Sequence, residues 1–298
     1  MCPLESTALR GTWRHDAPLA PWTSWRIGGP ADRLYIPADA DDLAAALAGL
    51  DPEEPLFWLG LGSNLLIRDG GIRGTVIATR NALTGLDAEG RGRIRAEAGV
   101  ACARLARFCA ECELDGGAFF IGIPGTVGGA LAMNAGAWGG EIWEYVEAVE
   151  TIDRAGVRRE RFPDDFRVGY RSVVGPPGEW FLAARLVFAA GDGEAARRLM
   201  RRYLSERSET QPTSAKTCGS VFRNPPGDHA ARLIEAAGLK GARVGAARVS
   251  VKHANFIVNE GGASARDVEA LIAHIAATVA ERFGVQLEPE VRIVGEPA

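Results

Sequence analysis

The stretch GIPGTVGGALAMNAGAWGGE, at residues 122–141, decides how the rest of this sequence is interpreted. Glycines flank an apolar run, and the pattern at 125–129 predicts the start of a helix. The first N–H groups of such a helix can face an anion, since they have no partner within the helix. The same glycines would also suit a helix packed closely against a sheet. Both interpretations are compatible with this stretch on its own.

A second glycine-rich stretch, GLGSNLLI at residues 60–67, lies between two short predicted strands at 56–60 and 65–69. It could be a tight hairpin or a loop whose N–H groups hold a phosphate. No Gly-Lys-Ser/Thr follows, so it is not a P-loop, and no G-x-G-x-x-G opens a helix here. Two such loops in one chain favour a dinucleotide, whose pyrophosphate is then held from two sides.

Glycine is over-represented in the chain as a whole, at 37 of 298 residues. A collagen repeat is excluded because the glycines have no period of three, and a flexible linker because they alternate with Ile, Leu and Val. The windows 60–74 and 116–140 hold five and nine of them. The surplus therefore marks two particular loops.

Composition excludes several functional classes. With 47% hydrophobic residues, 24% charged residues and a formal net charge of −4, the chain is neither disordered nor the strongly basic type that binds nucleic acid. No apolar run reaches the length of a bilayer span, and the first 16 residues lack the pattern of a signal peptide. We therefore expect a cytoplasmic protein with no membrane or nucleic-acid partner.

Five cysteines, an odd number, indicate reduced thiols. Cys109 and Cys112 form a CxxC, but Cys102, Cys109 and Cys112 also share one face of a helix predicted over 101–113. A second CxxC that would complete a zinc site is not present in the sequence. A buried helix face is therefore favoured over a metal or redox site, and we expect no metal.

Hydrophobic periodicity predicts an α+β fold, because strands and helices alternate irregularly. Ser264 and Asp267 form a capping box, which predicts a helix that begins there and ends at Gly284. The sequence changes character after residue 211. We therefore predict an N-terminal region over 1–210, with its core at about 24–192, and a C-terminal domain over 211–298. The other predicted helices are 39–50, 195–207 and 228–237; the other predicted strands are 33–36, 75–79, 93–99, 145–153, 180–190, 246–251 and 254–259.

Six motifs in a fixed order give the sequence a specific resemblance. It resembles the shorter subtype of the UDP-N-acetylenolpyruvoylglucosamine reductase family over roughly residues 20–296. The motifs are GLGSNLLI and GIPGTVGGALAMNAGAWGGE, then VGYRS (168–172), GSVFRNP (219–225), KHANFIVN (252–259) and LEPEV (287–291). The resemblance implies an FAD-binding region of the p-cresol methylhydroxylase type with two α+β subdomains, followed by an α+β substrate-binding domain.

The activity that the resemblance implies is reduction of an enolpyruvyl ether on a UDP-sugar, in peptidoglycan precursor synthesis. NADPH is the electron donor, reduced FAD gives hydride from N5, and three residues match the catalytic positions of the family. Arg171 would hold the substrate carboxylate through parallel hydrogen bonds. Ser220, beside Gly219, would protonate the carbon. Glu290, carried back by the C-terminal strand, would stay protonated and donate to the developing enolate, since burial raises the pKa of a carboxyl.

The resemblance also implies which residues bind ligands. The substrate-binding set is Tyr170, Arg207, Lys216 and Asn224. The cofactor-binding set is Gly60, Leu61, Gly62, Ser63, Asn64, Leu65, Pro124, Gly125, Thr126, Gly128, Gly129, Asn134 and Gly136. None of the four histidines lies in either glycine-rich loop, so we expect FAD to be bound non-covalently. His253 is interpreted as a structural histidine and not as a base.

Two other functions stay open at this point. One is a different FAD-dependent sugar or alcohol oxidoreductase on the same flavin fold. The other is a nucleotide-binding regulatory protein without catalysis, which would have little reason to keep Arg171, Ser220 and Glu290 together. We expect a monomer or a weak dimer whose partners are the UDP-sugar and NADPH.

Overall fold

A computed structural model describes residues 9–298 of the chain. The first part of the segment used for the signal-peptide expectation, and Cys2 with it, lies outside the described residues. The α-helices are α1 (Ala40–Ala48), α2 (Cys102–Glu111), α3 (Val127–Met133), α4 (Gly193–Thr210), α5 (Ala230–Ala236) and α6 (Ala265–Phe283). Short 3₁₀ turns cover Ala20–Trp22, Gly117–Gly122, Ile142–Tyr145 and Pro163–Asp165.

The strands are mostly short and are grouped into several small sheets. They are β1 (Thr12–Pro18), β2 (Pro30–Ile36), β3 (Leu56–Leu59), β4 (Leu65–Ile67), β5 (Ile72–Ala78), β6 (Leu86–Gly90), β7 (Arg93–Glu97), β8 (Gly136–Ala137), β9 (Gly140–Glu141), β10 (Val146–Asp153), β11 (Arg158–Arg161), β12 (Arg167–Gly169), β13 (Ser172–Val174), β14 (Glu179–Val187), β15 (Arg243–Val244), β16 (Ala247–Val249), β17 (Ile257–Asn259) and β18 (Arg292–Val294). The predicted α+β class is confirmed.

Two compact units divide the described chain. The first comprises residues 9–14, 33–60 and 75–201, and the second comprises 15–32, 61–74 and 202–298. The predicted domain boundary at 210/211 stays a prediction.

The first unit is built on an antiparallel sheet of order β11-β10-β14-β7-β6. In β7 the side chains alternate, so that Ile94 and Ala96 are buried while arginines occupy the other face. Those arginines pair with carboxylates on β10, as in Arg95–Glu150, where Nε and Oε1 are 2.6 Å apart. Helix α1 buries Leu43 and Leu47 in an apolar cluster that also contains Ile152 of β10 and Leu182 of β14.

The second unit has one apolar core of 24 buried residues, including Trp25, Phe222 and Leu271. The antiparallel sheet β15-β16-β17 and helices α5 and α6 contribute to it, as does β4, which pairs in parallel with β18. The Trp25 indole N–H donates to the Ile257 carbonyl at 2.7 Å, so even the largest core side chain has its polar atom paired.

Helix α6 confirms the prediction from its capping box. The Ser264 hydroxyl accepts from the Asp267 N–H at 3.1 Å, and the Asp267 carboxylate accepts from the Ser264 N–H at 3.0 Å. The helix ends at Gly284, which has a left-handed φ of 68°. The buried face of α2 is also confirmed for Cys102 and Cys109, whose thiol pKa values burial raises to about 12.

The hairpin interpretation of residues 60–67 is wrong. Strand β3 pairs in parallel with β5, and β4 pairs in parallel with β18, so the strands on the two sides of the loop belong to different sheets. The sequence pattern also missed several short strands. Among them are β12 and β13, which form a hairpin whose turn carries the predicted catalytic residue Arg171.

Candidate active site

The glycines of the first glycine-rich loop lie close to a side chain at Gly60 and to another stretch of backbone at Gly62. A Cβ on Gly60 would lie 2.6 Å from the Thr126 Oγ1, and a Cβ on Gly62 would lie 2.3 Å from the Trp22 carbonyl oxygen. Gly62 also has a φ of 64°, which glycine adopts without strain. Leu61 and Ser63, on either side, are partly exposed.

Asn64 links this loop to the C-terminal segment. Its side-chain amide donates to the Glu290 carbonyl at 3.1 Å, and its own carbonyl accepts from the Arg292 N–H at 3.0 Å. Leu65 continues the same pairing opposite Arg292 in the β4–β18 ladder. A residue predicted to bind the cofactor therefore also fixes the backbone of a predicted catalytic residue.

The second glycine-rich loop uses part of its backbone within the protein. The N–H groups of Val127 and Gly128 donate to the carbonyls of Val100 and Ala98 at 2.8 and 2.9 Å. A Cβ on Gly128 would lie 2.8 Å from the Ala98 Cβ. These two N–H groups are therefore already paired within the protein, and the anion-binding role of the rest of the loop stays a prediction. Gly128 itself fits the alternative interpretation, in which a glycine lets the helix pack closely against its neighbour, here Ala98.

Other atoms of this loop are suited to a bound group. Within residues 9–298, the buried Thr126 Oγ1 and Asn134 Oδ1 have no hydrogen-bond partner. A buried polar atom without a partner is costly, so both favour a ligand that accepts from a hydroxyl and donates to an amide oxygen. Pro124 and Gly129 are exposed beside them, and a Cβ on Gly129 would approach only Thr126 Oγ1, at 3.7 Å. FAD, with phosphate oxygens and several N–H and O–H groups, fits these requirements.

The turn between β12 and β13, which we call the Arg171 turn (residues 169–172), carries Tyr170 and Arg171. The Arg171 guanidinium donates to the carbonyls of Asn134 and Gly136 at 3.1 and 3.0 Å. Its Cζ lies 5.0 Å from the centre of the Tyr170 ring. Arg171 has a φ of 51°, a conformation that costs an L-residue about 1 kcal/mol. Glycine would avoid this strain, so the turn retains a side chain that its backbone disfavours.

Asn134 and Glu141 lie beside Arg171. Asn134 is left-handed at the end of α3, and its side-chain amide donates to Glu141 Oε2 at 2.6 Å and to the Gly169 carbonyl at 3.2 Å. Glu141 Oε1 lies 3.8 Å from the Arg171 Nη1. Glu141 was missed in the sequence, although it is the last residue of the loop motif.

Ser220 and Glu290 are brought together in the second unit. The Val221 carbonyl accepts from the N–H groups of Glu290 and Val291 at 2.8 and 3.3 Å, and Phe222 lies opposite Pro289. Gly219 has a φ of 89°, and a Cβ there would meet no atom within 4 Å. We call residues 219–223 the Ser220 segment. Its neighbour Cys218 is buried, which raises the pKa of the thiol.

The remaining predicted substrate residues lie in the same unit. Arg207 donates from Nε to the Gln211 Oε1 at 3.0 Å, and burial lowers the pKa of its guanidinium. Asn224 accepts from the Ala230 N–H at 3.1 Å through Oδ1, at the start of α5. The Lys216 carbonyl accepts from the Asn259 N–H at 3.0 Å.

His253 is packed and hydrogen-bonded within the protein. The His253 ring packs edge-on against Phe256, with 4.7 Å between centroids, and its Nδ1 accepts from the Asn255 N–H at 3.3 Å. Burial, helped by the positive charge of Lys240, lowers its pKa, as the structural interpretation expects.

In the part of the chain that the structure describes, no three His, Cys, Asp or Glu side chains are grouped to hold a metal ion. No helix of residues 9–298 has the length and apolar character of a membrane span.

Family models match both parts of the chain. Residues 31–160 match an FAD binding domain, and residues 211–294 match the C-terminal domain of UDP-N-acetylenolpyruvoylglucosamine reductase. The predicted combination of an FAD-binding region with a family-specific C-terminal domain is therefore confirmed.

Whole-chain relatives carry the same name. UDP-N-acetylenolpyruvoylglucosamine reductase of Methylococcus capsulatus is 61% identical over 96% of this chain and 94% of its own. That of Alkalilimnicola ehrlichii is 62% identical over 99% of both chains. The crystal structure of the Thermus caldophilus reductase superposes with a TM-score of 0.81 at 35% identity, covering 95% of this chain and 98% of the other.

Proposed function

Since this chain belongs to the UDP-N-acetylenolpyruvoylglucosamine reductase family, we propose that it reduces the enolpyruvyl ether of UDP-N-acetylglucosamine-enolpyruvate to UDP-N-acetylmuramate, for peptidoglycan synthesis. The observation that carries this proposal is identity above 60% along nearly the whole of two relatives. When bound, FAD reduced by NADPH supplies the hydride for the alkene. We place the enzyme in the cytoplasm, as a monomer or weak dimer, with the UDP-sugar and NADPH as its partners.

Arg171 binds the substrate carboxylate in this proposal. A guanidinium stays protonated and donates through several N–H groups, so it can bond both the carbonyls of the second loop and a carboxylate. The bonds to Asn134 and Gly136 support this role because they orient the planar group before substrate arrives. The same positive charge stabilises the negative charge that develops on the carboxylate side of the double bond.

Ser220 delivers the proton to carbon, and Glu290 donates a hydrogen bond to the enolate. The Val221 carbonyl accepts from the Glu290 N–H, which supports these roles because it fixes the backbone of Glu290 beside the residue that follows Ser220. The open surroundings of Gly219 support a place for substrate beside the serine hydroxyl. Tyr170, Arg207, Lys216 and Asn224 would contact the rest of the UDP-sugar.

Two half-reactions test the proposal. Purified holoenzyme is mixed with NADPH without oxygen, and bleaching of the flavin absorbance is followed. The enolpyruvyl UDP-sugar is then added. Prompt re-oxidation, with UDP-N-acetylmuramate as product, is the expected result. A flavin that simple sugars or alcohols reduce, and that the UDP-sugar leaves bleached, would instead identify an oxidoreductase of the alternative type. Protein without a flavin spectrum would contradict both.

A further inference from the structure

The side chain of Asn255 bonds both polar backbone groups of one residue in the Ser220 segment. Its Oδ1 accepts from the Phe222 N–H at 2.9 Å, and its Nδ2 donates to the Phe222 carbonyl at 2.8 Å. The Asn255 carbonyl also accepts from the Val221 N–H at 2.9 Å. Asn255 is 4% exposed and Phe222 is 1% exposed, so these bonds are shielded from water.

The other edge of the segment pairs with residues 288–291. There the Arg223 N–H donates to the Glu288 carbonyl, and the Glu290 N–H donates to the Val221 carbonyl. Phe222 lies opposite Pro289 between these two bonds, at a position where the N–H and carbonyl of an antiparallel strand point to the opposite edge. Asn255 therefore acts as a substitute for a third strand, with its amide in the place of a backbone peptide group.

We propose that Asn255 is a positioning residue that sets the direction of the Ser220 hydroxyl and, through the Val221 carbonyl, the place of Glu290. The inference rests on the proposed function, because it concerns the step in which Ser220 gives its proton. Gly219 precedes Ser220 with a φ of 89° and open surroundings, so the residue directly before the serine supplies little restraint. The restraint comes from the chain after it, which Asn255 bonds at Val221 and Phe222.

The side-chain chemistry needed at 255 is specific. Leucine has nearly the same size but would leave the Phe222 N–H and carbonyl buried without partners. A carboxylate from aspartate would still accept from the N–H but would repel the carbonyl. The expected order of function is therefore asparagine, then aspartate, then leucine.

The test compares half-reactions of Asn255→Leu and Asn255→Asp holoenzymes with those of wild type and a control, Leu271→Ala. Leu271 is fully buried in the same core on α6, so its truncation destabilises the unit without removing a bond to the Ser220 segment. For Asn255→Leu we expect re-oxidation by the enolpyruvyl UDP-sugar to slow by about 10²-fold, as small misplacements of catalytic groups do. Bleaching by NADPH stays within about 2-fold, and the solvent deuterium isotope effect on re-oxidation rises, because proton transfer becomes more rate-limiting.

A second readout does not depend on activity. Amide hydrogen exchange of peptides covering 219–223 and 287–291 should accelerate selectively in both Asn255 variants, whereas in Leu271→Ala these peptides should accelerate no more than the rest of the second unit. If the Asn255 variants and Leu271→Ala lose the two half-reactions in equal proportion, with no local change in exchange, Asn255 is only structural and the inference is overturned. If Asn255→Leu does not fold, Asn255→Asp decides by the same criteria. Wild type that the UDP-sugar does not re-oxidise would instead refute the proposed function.

Discussion

The Arg171 turn and the Ser220 segment both combine a predicted catalytic side chain with left-handed backbone, but they are held in different ways. In the turn, the left-handed residue is the arginine itself, and its own guanidinium bonds the neighbouring loop. In the segment, the left-handed residue is Gly219, and the bonds are made by the backbone that follows Ser220. The side chain of Arg171 is therefore part of the scaffold as well as a predicted catalytic group, whereas the Ser220 hydroxyl can be removed without disturbing its support.

The largest expected effect tests whether the Ser220 hydroxyl can be removed without disturbing the backbone that holds it. Ser220→Ala removes one oxygen and leaves the bonds of Val221 and Phe222 in place. Re-oxidation by the UDP-sugar should slow by about 10²–10⁴-fold, the usual contribution of a general acid. Bleaching by NADPH and the melting temperature should match those of Ser205→Ala, a control on the exposed face of α4. Equal loss of both half-reactions would show that Ser220 serves the cofactor or the fold.

Arg171→Lys tests whether the guanidinium of Arg171 both binds substrate and holds the turn against the second glycine-rich loop. Lysine keeps the charge but has no planar fork, so it cannot bond the Asn134 and Gly136 carbonyls and a carboxylate in the same geometry. Loss of a hydrogen bond between charged groups is worth about 1.5–3 kcal/mol, which predicts a roughly 10–100-fold fall in kcat/KM. Arg167→Lys, on the exposed strand β12 of the same hairpin, is the matched control and should keep the wild-type kcat/KM. Similar values for the two variants would remove Arg171 from the proposed mechanism.

Local signals in the sequence were enough to predict the longer elements. Helix α6 follows from its capping box, apolar stripe and terminal glycine, and α1 from its apolar face. The short hairpin β12–β13 could not be found in this way. It has only three residues in each strand and is exposed along most of its length, so it has no buried face to produce a periodic pattern.

The candidate site was predictable where a motif names a residue, and not where the role depends on tertiary bonds. VGYRS indicated Arg171, but nothing in it shows that the carbonyls of Asn134 and Gly136 hold the guanidinium. KHANFIVN was part of the resemblance, yet the role of Asn255 depends on residues 33 positions away in the chain. The glycines show the same limit, because Gly128 is required by packing on Ala98, a contact that spacing alone does not distinguish from anion binding.

Substitutions at two adjacent glycines of the second glycine-rich loop separate close packing from cofactor binding. Gly128→Ala places a methyl group 2.8 Å from the Ala98 Cβ. Overpacking costs about 1–3 kcal/mol, against about 1 kcal/mol gained in helix propensity, so the free energy of unfolding should fall by up to about 2 kcal/mol. Gly129→Ala has room and should raise the stability of the apoprotein, while weakening FAD binding if that residue faces the cofactor. Urea unfolding of the apoproteins and FAD titration measure both quantities, and equal destabilisation would contradict the packing argument.

The smallest expected effect concerns the antiparallel sheet of the first unit, the unit in which the Arg171 turn also lies. The hydrogen bond from Arg95, on β7, lowers the pKa of Glu150, on β10, and burial only partly opposes it. A carboxylate with a lowered folded-state pKa adds stability that is complete above its unfolded pKa, about 4.3, and is lost as the pH falls below that value. Because the pair is partly exposed, Glu150→Gln should reduce the free energy of unfolding by only about 0.5–1 kcal/mol at pH 7, and the difference from wild type should disappear in more acidic solution. Urea unfolding across this pH range measures the difference, with Glu53→Gln as an exposed control, and a deficit that persists in acid would contradict the assignment. Added salt should reduce the stability deficit of Glu150→Gln, because it screens the ion pair, but should not change the slow re-oxidation of Ser220→Ala.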